Sequence, residues 1–146
     1  MKRSLVLGAA LGLASALALA QSTPAGVWKT IDDATKKEKS LVRITDNAGV
    51  LTGKIEKLTD PAKQEAKCDK CTDARKDQKI LGMTIIEGVK KAANADYWDG
   101  GTILDPNKGE VYKVRMTPAD GGNKLEVRGY VGMPLLGRTQ TWIRVE

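Results

Sequence analysis

The chain has 146 residues and a formal net charge of +6, and its acidic residues are interspersed among the lysines and arginines, a distribution that favours a solvated surface over a nucleic-acid interface. It contains no His, which excludes Ser-His and Cys-His catalytic arrangements and every zinc site that uses imidazole. It has no Phe, three Trp, three Tyr and two Cys, so Val, Ile, Leu and Met must supply most of an apolar interior.

The first twenty residues have the pattern of an export signal. Lys2 and Arg3 form a charged start, residues 5–19 are an apolar run, and Ala18-Leu19-Ala20 supplies small residues before a cleavage point. Cleavage there leaves residues 21–146 as a single domain and removes two basic charges, so that the net charge falls to +4. The apolar run is shorter than the roughly 20 residues of a membrane-spanning helix. We therefore expect a bacterial periplasmic or secreted protein with no stable membrane insertion after the signal is removed.

Alternation of apolar and polar residues dominates the rest of the chain. Turn sequences at 46–49 and 105–109 separate neighbouring runs, and no crossover helix lies between them. Strands joined by such short turns pair in antiparallel order. The eight predicted strands are 26–31, 39–46, 50–58, 83–91, 97–104, 110–117, 123–131 and 138–145.

Eight strands in up-and-down order predict an all-β fold, a closed antiparallel barrel. Closure removes the unpaired edges that an open sheet would have to protect, and a β-sandwich is the alternative. The predicted inward-facing residues are Tyr112, Val114, Met116, Leu125, Val127, Val131, Ile143 and Val145. On the last strand, Trp142 is then expected to be partly covered near a rim.

One long polar segment, residues 58–80, interrupts the strand pattern. Asp60 and Pro61 predict the start of a short helix, with Asp as the cap and Pro in the first turn, and residues 62–67 are good helix formers. Long segments of this kind in a compact domain are usually functional or flexible.

Cys68 and Cys71 lie in this segment and have three possible roles. A structural disulfide, typical of an oxidising compartment, would close a very small ring and stabilise the fold by about 2 kcal/mol, enough to order a loop. A redox-active pair usually lies at a helix start in a βαβ unit, which an antiparallel chain lacks. A metal site could add Asp69 or Asp73, but no further Cys or His completes the usual four ligands. We favour the disulfide and expect no metal and no cofactor.

The two ends of the chain carry a matching pair of motifs, Gly26-Val27-Trp28 and Trp142-Ile143-Arg144. In lipocalin-type barrels a Gly-x-Trp on the first strand is covered by an Arg from the last strand, and a guanidinium stacked on an indole is favourable by about 1 kcal/mol. We predict Trp28 and Arg144 as barrel-closing residues, with Arg138 as the other candidate for the stacking cation. Alternatively, Trp28 is simply a core residue near the chain start.

Three segments resemble an uncharacterised bacterial family known as domain of unknown function 2147. They are WDGGTILDPNKGEVY at 98–112, LEVRGYVG at 125–132 and LGRTQTW at 136–142. The Cys68-x-x-Cys71 loop is also similar, although Lys79 stands where many relatives have Pro. The resemblance covers nearly the whole predicted domain and implies a small exported protein with a lipocalin-like barrel. It implies no activity, ligand or catalytic residue.

Polar and aromatic side chains on or near the last strand suggest a binding site. The predicted ligand-binding residues are Trp28, Tyr112, Arg138, Gln140 and Trp142. They could line a barrel mouth or an outer groove for a small apolar or amphipathic ligand. Equally, the alternate positions of the last strand could form a ladder of cross-strand contacts on the outside of the barrel.

Two function classes follow from these features. The first is a non-enzymatic binding protein. The second is a cell-envelope interaction or stress-related module that contacts another protein through the 58–80 loop. An enzyme is the third and least favoured class, because Asp96 and Asp99 near Trp98 could exchange protons but have no recognisable pairing.

Overall fold

The structure is a computed structural model that describes residues 22–146, so the predicted signal at 1–20 lies outside the described residues. The strands, numbered in chain order, are β1 Gly26–Ile31, β2 Glu38–Asn47, β3 Val50–Leu58, β4 Thr84–Lys91, β5 Trp98–Asp105, β6 Glu110–Ala119, β7 Lys124–Tyr130 and β8 Arg138–Arg144. In the described part of the chain, the helical elements are three short 3-10 turns, Pro61–Lys63, Asp120–Gly122 and Pro134–Leu136. Within residues 22–146, no helix is long and apolar enough to cross a membrane.

The eight strands form a closed barrel in which each strand pairs antiparallel with the next. Trp28 pairs with Arg144 and Lys29 with Ile143, which joins β1 to β8. Backbone hydrogen bonds extend this seam beyond β8. Val145 N–H donates to the Val27 carbonyl at 2.8 Å, Val27 N–H donates to the Glu146 carbonyl at 2.7 Å, and Glu146 N–H donates to the Val27 carbonyl at 3.4 Å. The predicted up-and-down barrel is therefore confirmed, and the sandwich alternative is excluded.

The two ends of the barrel differ in the length of their connections. The segments 32–37, 59–83, 106–109 and 131–137 gather at one end, called the mouth here. The opposite end, called the closed end, includes a two-residue turn in which Ala48 and Gly49 both have positive φ, 53° and 90°. Such turns suit the twist of paired strands. The Asp46 carboxylate accepts a hydrogen bond from Gly49 N–H at 2.8 Å and fixes the turn.

The helix expected after Asp60 is a single 3-10 turn. The Asp60 side chain caps it by accepting from Ala62 N–H at 2.9 Å, as the sequence indicates. The turn ends at Lys63 rather than continuing to residue 67, because the backbone there pairs across the loop. Cys68 N–H donates to the Gln78 carbonyl at 2.8 Å, and Ile80 N–H donates to the Ala66 carbonyl at 2.9 Å. These cross-loop bonds use the groups that a longer helix would need.

The barrel interior is mainly aliphatic, with one Trp from the first strand and one from the last. Its fully buried members include Trp28, Val42, Leu51, Ile86, Val89, Val114, Met116 and Leu125. Val114, Met116, Leu125 and Val127 face inward as predicted. Tyr112 is half-buried at the mouth end of the same face.

The predicted facing of β8 is wrong. Trp142 is only 2% exposed, whereas Ile143 and Val145 are 43% and 47% exposed. Trp142 pairs with the fully buried Leu125 on β7. Burying an indole removes far more apolar surface from water than burying an Ile or a Val, so the strand presents Trp142 inward. Val131 is also not part of the buried interior, because β7 ends at Tyr130 and Val131 lies exposed at the mouth.

Candidate functional site

A cavity of about 800 Å³ opens at the mouth of the barrel. Buried apolar side chains form its floor, namely Ile55, Ile80, Ile85, Leu104, Val127 and Trp142. Charged side chains at its rim come from the mouth loops and include Asp32, Asp33, Lys37, Lys63, Asp105, Lys108 and Arg138. Both the volume and the combination of an apolar floor with polar groups at the opening are typical of small-molecule sites.

Gln140 connects the floor of the cavity to its rim. Alternation along β8 places Gln140 on the same inner face as Trp142, and Trp142 Nε1–H donates to Gln140 Oε1 at 3.1 Å. Gln140 Nε2–H in turn donates to the Asp33 carboxylate at 3.4 Å, on the loop between β1 and β2. This chain holds the indole in place and leaves its apolar face available to the cavity.

A pair of buried hydroxyl groups provides a polar point in the cavity wall. The Thr30 and Ser40 side-chain oxygens are 2.7 Å apart on neighbouring strands, and both residues line the cavity. One hydroxyl donates to the other, which leaves one O–H proton without a protein acceptor among the described residues. That proton can be donated to a ligand oxygen.

Tyr112 and Arg138 give the rim two different polar groups. The Tyr112 hydroxyl donates to the Glu110 carboxylate. That hydrogen bond, with burial and the Glu110 charge, raises the pKa of Tyr112 to about 12, so the phenol stays neutral at ordinary pH. Arg138 is exposed and forms no ion pair within residues 22–146. Its guanidinium is therefore free to meet an anionic group.

The loop between β3 and β4 forms one wall of the cavity and contains the predicted disulfide. Cys68 and Cys71 are bonded, with their Cα atoms 5.4 Å apart and both side chains buried, so the disulfide is confirmed. Cys68 Sγ lies 3.4 Å from the Pro106 carbonyl oxygen on the β5–β6 turn. Gly109 of that turn has φ of 67°, and a Cβ there would lie 2.0 Å from the Lys70 carbonyl oxygen. Only glycine allows this close approach, which holds the loop against the barrel.

A second contact anchors the same loop to the barrel. The Arg75 guanidinium donates to the Thr84 carbonyl at 3.1 Å and to the Asp73 carboxylate at 2.6 Å. The hydrogen bonds from Arg75 lower the pKa of Asp73 to about 2, so this carboxylate stays ionised at ordinary pH. Ala66 and Ile80 of this loop line the cavity, together with Leu58 at the end of β3.

Trp28 lies at the closed end, away from the cavity lining. It is fully buried, and its indole N–H donates to the Pro24 carbonyl at 2.8 Å. The Arg144 guanidinium carbon lies 4.2 Å from the centre of the indole ring. Burial lowers the pKa of Arg144. The structure thus places Arg144, and not Arg138, over Trp28.

Four of the five residues predicted to bind a ligand are therefore brought together at the mouth, namely Tyr112, Arg138, Gln140 and Trp142. Sequence reasoning placed Val127 inward but assigned neither Asp33 nor the aliphatic floor residues to a binding site, because strand register and loop packing bring them together. Of the two carboxylates considered for acid–base chemistry, Asp99 lies 3.9 Å from Arg115 in an ion pair. Asp96 lies near Lys91 and Trp98 in a separate small hollow.

Comparison with known proteins gives a family and a fold. The model of the family DUF2147, described as an uncharacterized protein conserved in bacteria, matches residues 26–144. The chain is also similar to a solved structure described as "Protein HP1028 from the human pathogen Helicobacter pylori belongs to the lipocalin family". The TM-score is 0.71 at 21% identity, and the match covers 84% of this chain and 82% of that chain. At that identity the likeness concerns the fold alone. No curated protein matches the chain.

Proposed function

The chain belongs to the DUF2147 family and has a lipocalin-like barrel, and on that premise we propose that it is an exported, non-enzymatic protein that binds a small apolar or amphipathic molecule. The ligand occupies the cavity at the mouth. Export is part of the proposal and rests on the signal-like pattern of residues 1–20.

The gradient of polarity inside the cavity supports the proposal most directly. The buried floor around Ile85, Leu104 and Trp142 offers apolar surface to a hydrocarbon group. Transfer of such a group from water is favourable by about 25 cal/mol per Å². Arg138, Tyr112 and the other polar side chains at the rim face the opposite end of the ligand. An elongated molecule with one polar or anionic end fits this arrangement.

The alternative function, a protein contact through the 58–80 loop, stays a prediction. The inner side of the loop belongs to the cavity wall, and its two Cys side chains are buried. Its charged outer surface remains accessible, which suits either a solvated surface or a partner. Among the described residues, no contact favours a partner-binding surface over a solvated one.

The test is native mass spectrometry of the protein taken from its own cell envelope, followed by titration with a dansylated eleven-carbon fatty acid. We expect one bound small molecule and one probe site. Ala66→Trp places an indole in the cavity wall and should weaken probe binding by about tenfold or more, a loss of about 1.4 kcal/mol. Ala93→Trp is the matched control, because Ala93 is exposed at the closed end and does not line the cavity.

Two results would contradict the proposal. One is an envelope-derived protein that carries no small molecule and binds no probe. The other is equal probe affinity in the Ala66→Trp and Ala93→Trp variants, which would place the probe outside the cavity. Thermal unfolding of both variants establishes that the barrel is intact before affinities are compared.

A further inference from the structure

The connection between β7 and β8 exposes a cluster of large apolar side chains at the mouth. Residues 129–137 contain no charged side chain. Within residues 131–137, called the lip here, four side chains are between 63% and 83% exposed: Val131, Met133, Leu135 and Leu136. Scattered apolar residues are normal on a surface, but an exposed cluster at one site marks an interaction surface.

The lip is held in this exposed conformation by specific hydrogen bonds. Arg128 reaches from β7 and donates to the Pro134 carbonyl at 2.6 Å and to the Leu135 carbonyl at 3.3 Å. Leu136 N–H donates to the Met133 carbonyl at 3.0 Å, and Gly137 N–H donates to the Pro134 carbonyl at 3.1 Å. The exposure of the leucines is therefore built into the fold.

These hydrogen bonds also affect how much free energy it costs to move the lip from water into an apolar medium. A backbone group without a partner is costly in an apolar medium. At the tip of the lip, the carbonyls of residues 133–135 all accept hydrogen bonds, and Pro134 has no N–H to satisfy. The N–H groups of Met133 and Leu135 have no acceptor among the described residues, so these two groups must stay in contact with water or with lipid head groups. The apolar side chains of the tip can thus leave water while few backbone groups lose a partner.

The lip stands directly beside the cavity opening and next to a cation. Val131 and Leu136 belong to the cavity lining as well as to the lip. Arg138 follows the lip immediately, is exposed, and forms no ion pair within the described chain. An apolar tip followed by a cation matches the layering of a phospholipid bilayer, in which anionic phosphates lie above the acyl chains.

We propose that the lip docks on the surface of a phospholipid bilayer, with Met133, Leu135 and Leu136 inserted among the acyl chains and Arg138 facing the phosphates. A bilayer accommodates a protruding tip anywhere on its surface, whereas a protein partner would need a pocket shaped to receive it. Docking places the cavity opening against the membrane. It does not require that the cavity be occupied.

The test is flotation of the chain from Gln21 onward with phosphatidylcholine vesicles. All eight strands and the disulfide lie within this chain, and the apolar run at 5–19 is absent from it. We expect the wild type to float with the vesicles. The double variant Leu135→Ser, Leu136→Ser should lower the partition coefficient by about tenfold or more, because two exposed leucines lose their apolar gain.

The matched control is Ile143→Ser with Val145→Ser, since Ile143 on β8 and Val145 just after it are exposed apolar residues outside the lip. It should float like the wild type. Flotation should persist in high salt, because apolar insertion is not screened. Failure of the wild type to float, equal flotation of the lip variant, or loss of flotation in high salt would each overturn the proposal. Lip-dependent self-association without flotation would assign the lip to a protein contact instead.

Discussion

Arg144 satisfies several backbone groups at the closed end of the barrel. Its guanidinium donates to the carbonyls of Gly122 at 2.6 Å, Ala25 at 2.9 Å and Thr23 at 2.7 Å while it covers the Trp28 ring. These acceptors come from the segment before β1 and from the turn before β7. A single side chain therefore ties the segment before β1 to the turn before β7 at the closed end.

Replacing Arg144 by Ala should lower the free energy of unfolding by about 3 kcal/mol, because hydrogen bonds from a charged donor are lost and their acceptors lose a partner. Arg138→Ala is the control on the same strand and should change stability little. Urea unfolding of both variants measures the difference. In a double-mutant cycle with Trp28→Leu, a coupling of about 1 kcal/mol is expected for Arg144. Equal effects of the two arginine variants would contradict this assignment.

At this scale the sequence indicated the residue types but not their geometry. The Gly-x-Trp motif predicted an arginine over Trp28, yet the choice between Arg138 and Arg144 depends on strand register. The two arginines are six residues apart on one strand, and alternation places both on the same face. The predicted orientation of Trp142 was wrong for a related reason. Alternation shows which residues share a face but not which face is inside, when each face carries both polar and apolar groups.

Among the elements, the loop between β3 and β4 departs most from its predicted form. The helix-forming residues 62–67 favour a helix locally, but the disulfide and the bonds between residues 66–68 and 78–80 impose a different path. Such contacts between distant residues override local propensity and are not visible in a sequence window. The sequence did favour the disulfide correctly. The sequence did not indicate that the loop forms one wall of a cavity.

Removing the disulfide should loosen this loop and leave the barrel intact. Cys68→Ala with Cys71→Ala is expected to lower the free energy of unfolding by about 2 kcal/mol, the value for a very small ring. Amide exchange should become faster at Ile80, whose N–H bonds to Ala66 across the loop. Exchange at Val114 in the barrel wall should accelerate by at most about thirtyfold, the factor that 2 kcal/mol of global stability represents. A larger acceleration at Val114 than at Ile80 would show instead that the disulfide supports the whole fold.

For the whole molecule, the barrel topology could be predicted from the sequence, whereas the presence of a cavity inside the barrel could not. Short turns between segments of alternating polarity make neighbouring strands antiparallel, and the eight strands close into a barrel. An interior without Phe was compatible with a packed barrel or with a cavity. The difference lies in the mouth loops, which stand apart enough to leave about 800 Å³ open. The exposed apolar surface of the lip was not predicted, because Met133-Pro134 indicates only a turn. The nine successive uncharged residues at 129–137 could have indicated it.

Closure itself depends on the shortest seam of the barrel, between β1 and β8. Deleting Val145 and Glu146 removes three backbone hydrogen bonds to Val27, at 2.7, 2.8 and 3.4 Å, and should lower the free energy of unfolding by about 2 kcal/mol, at about 1 kcal/mol for each of the two short bonds. Amide exchange should accelerate first at Val27, since β1 then loses partners on that side. Glu146→Gln is the control, because it keeps the backbone bonds and removes only the exposed ion pair with Arg43, which contributes little since water screens it. If the deletion destabilises no more than Glu146→Gln, the seam is held by the inward-facing side chains, Trp28 and Arg144, rather than by the backbone beyond β8.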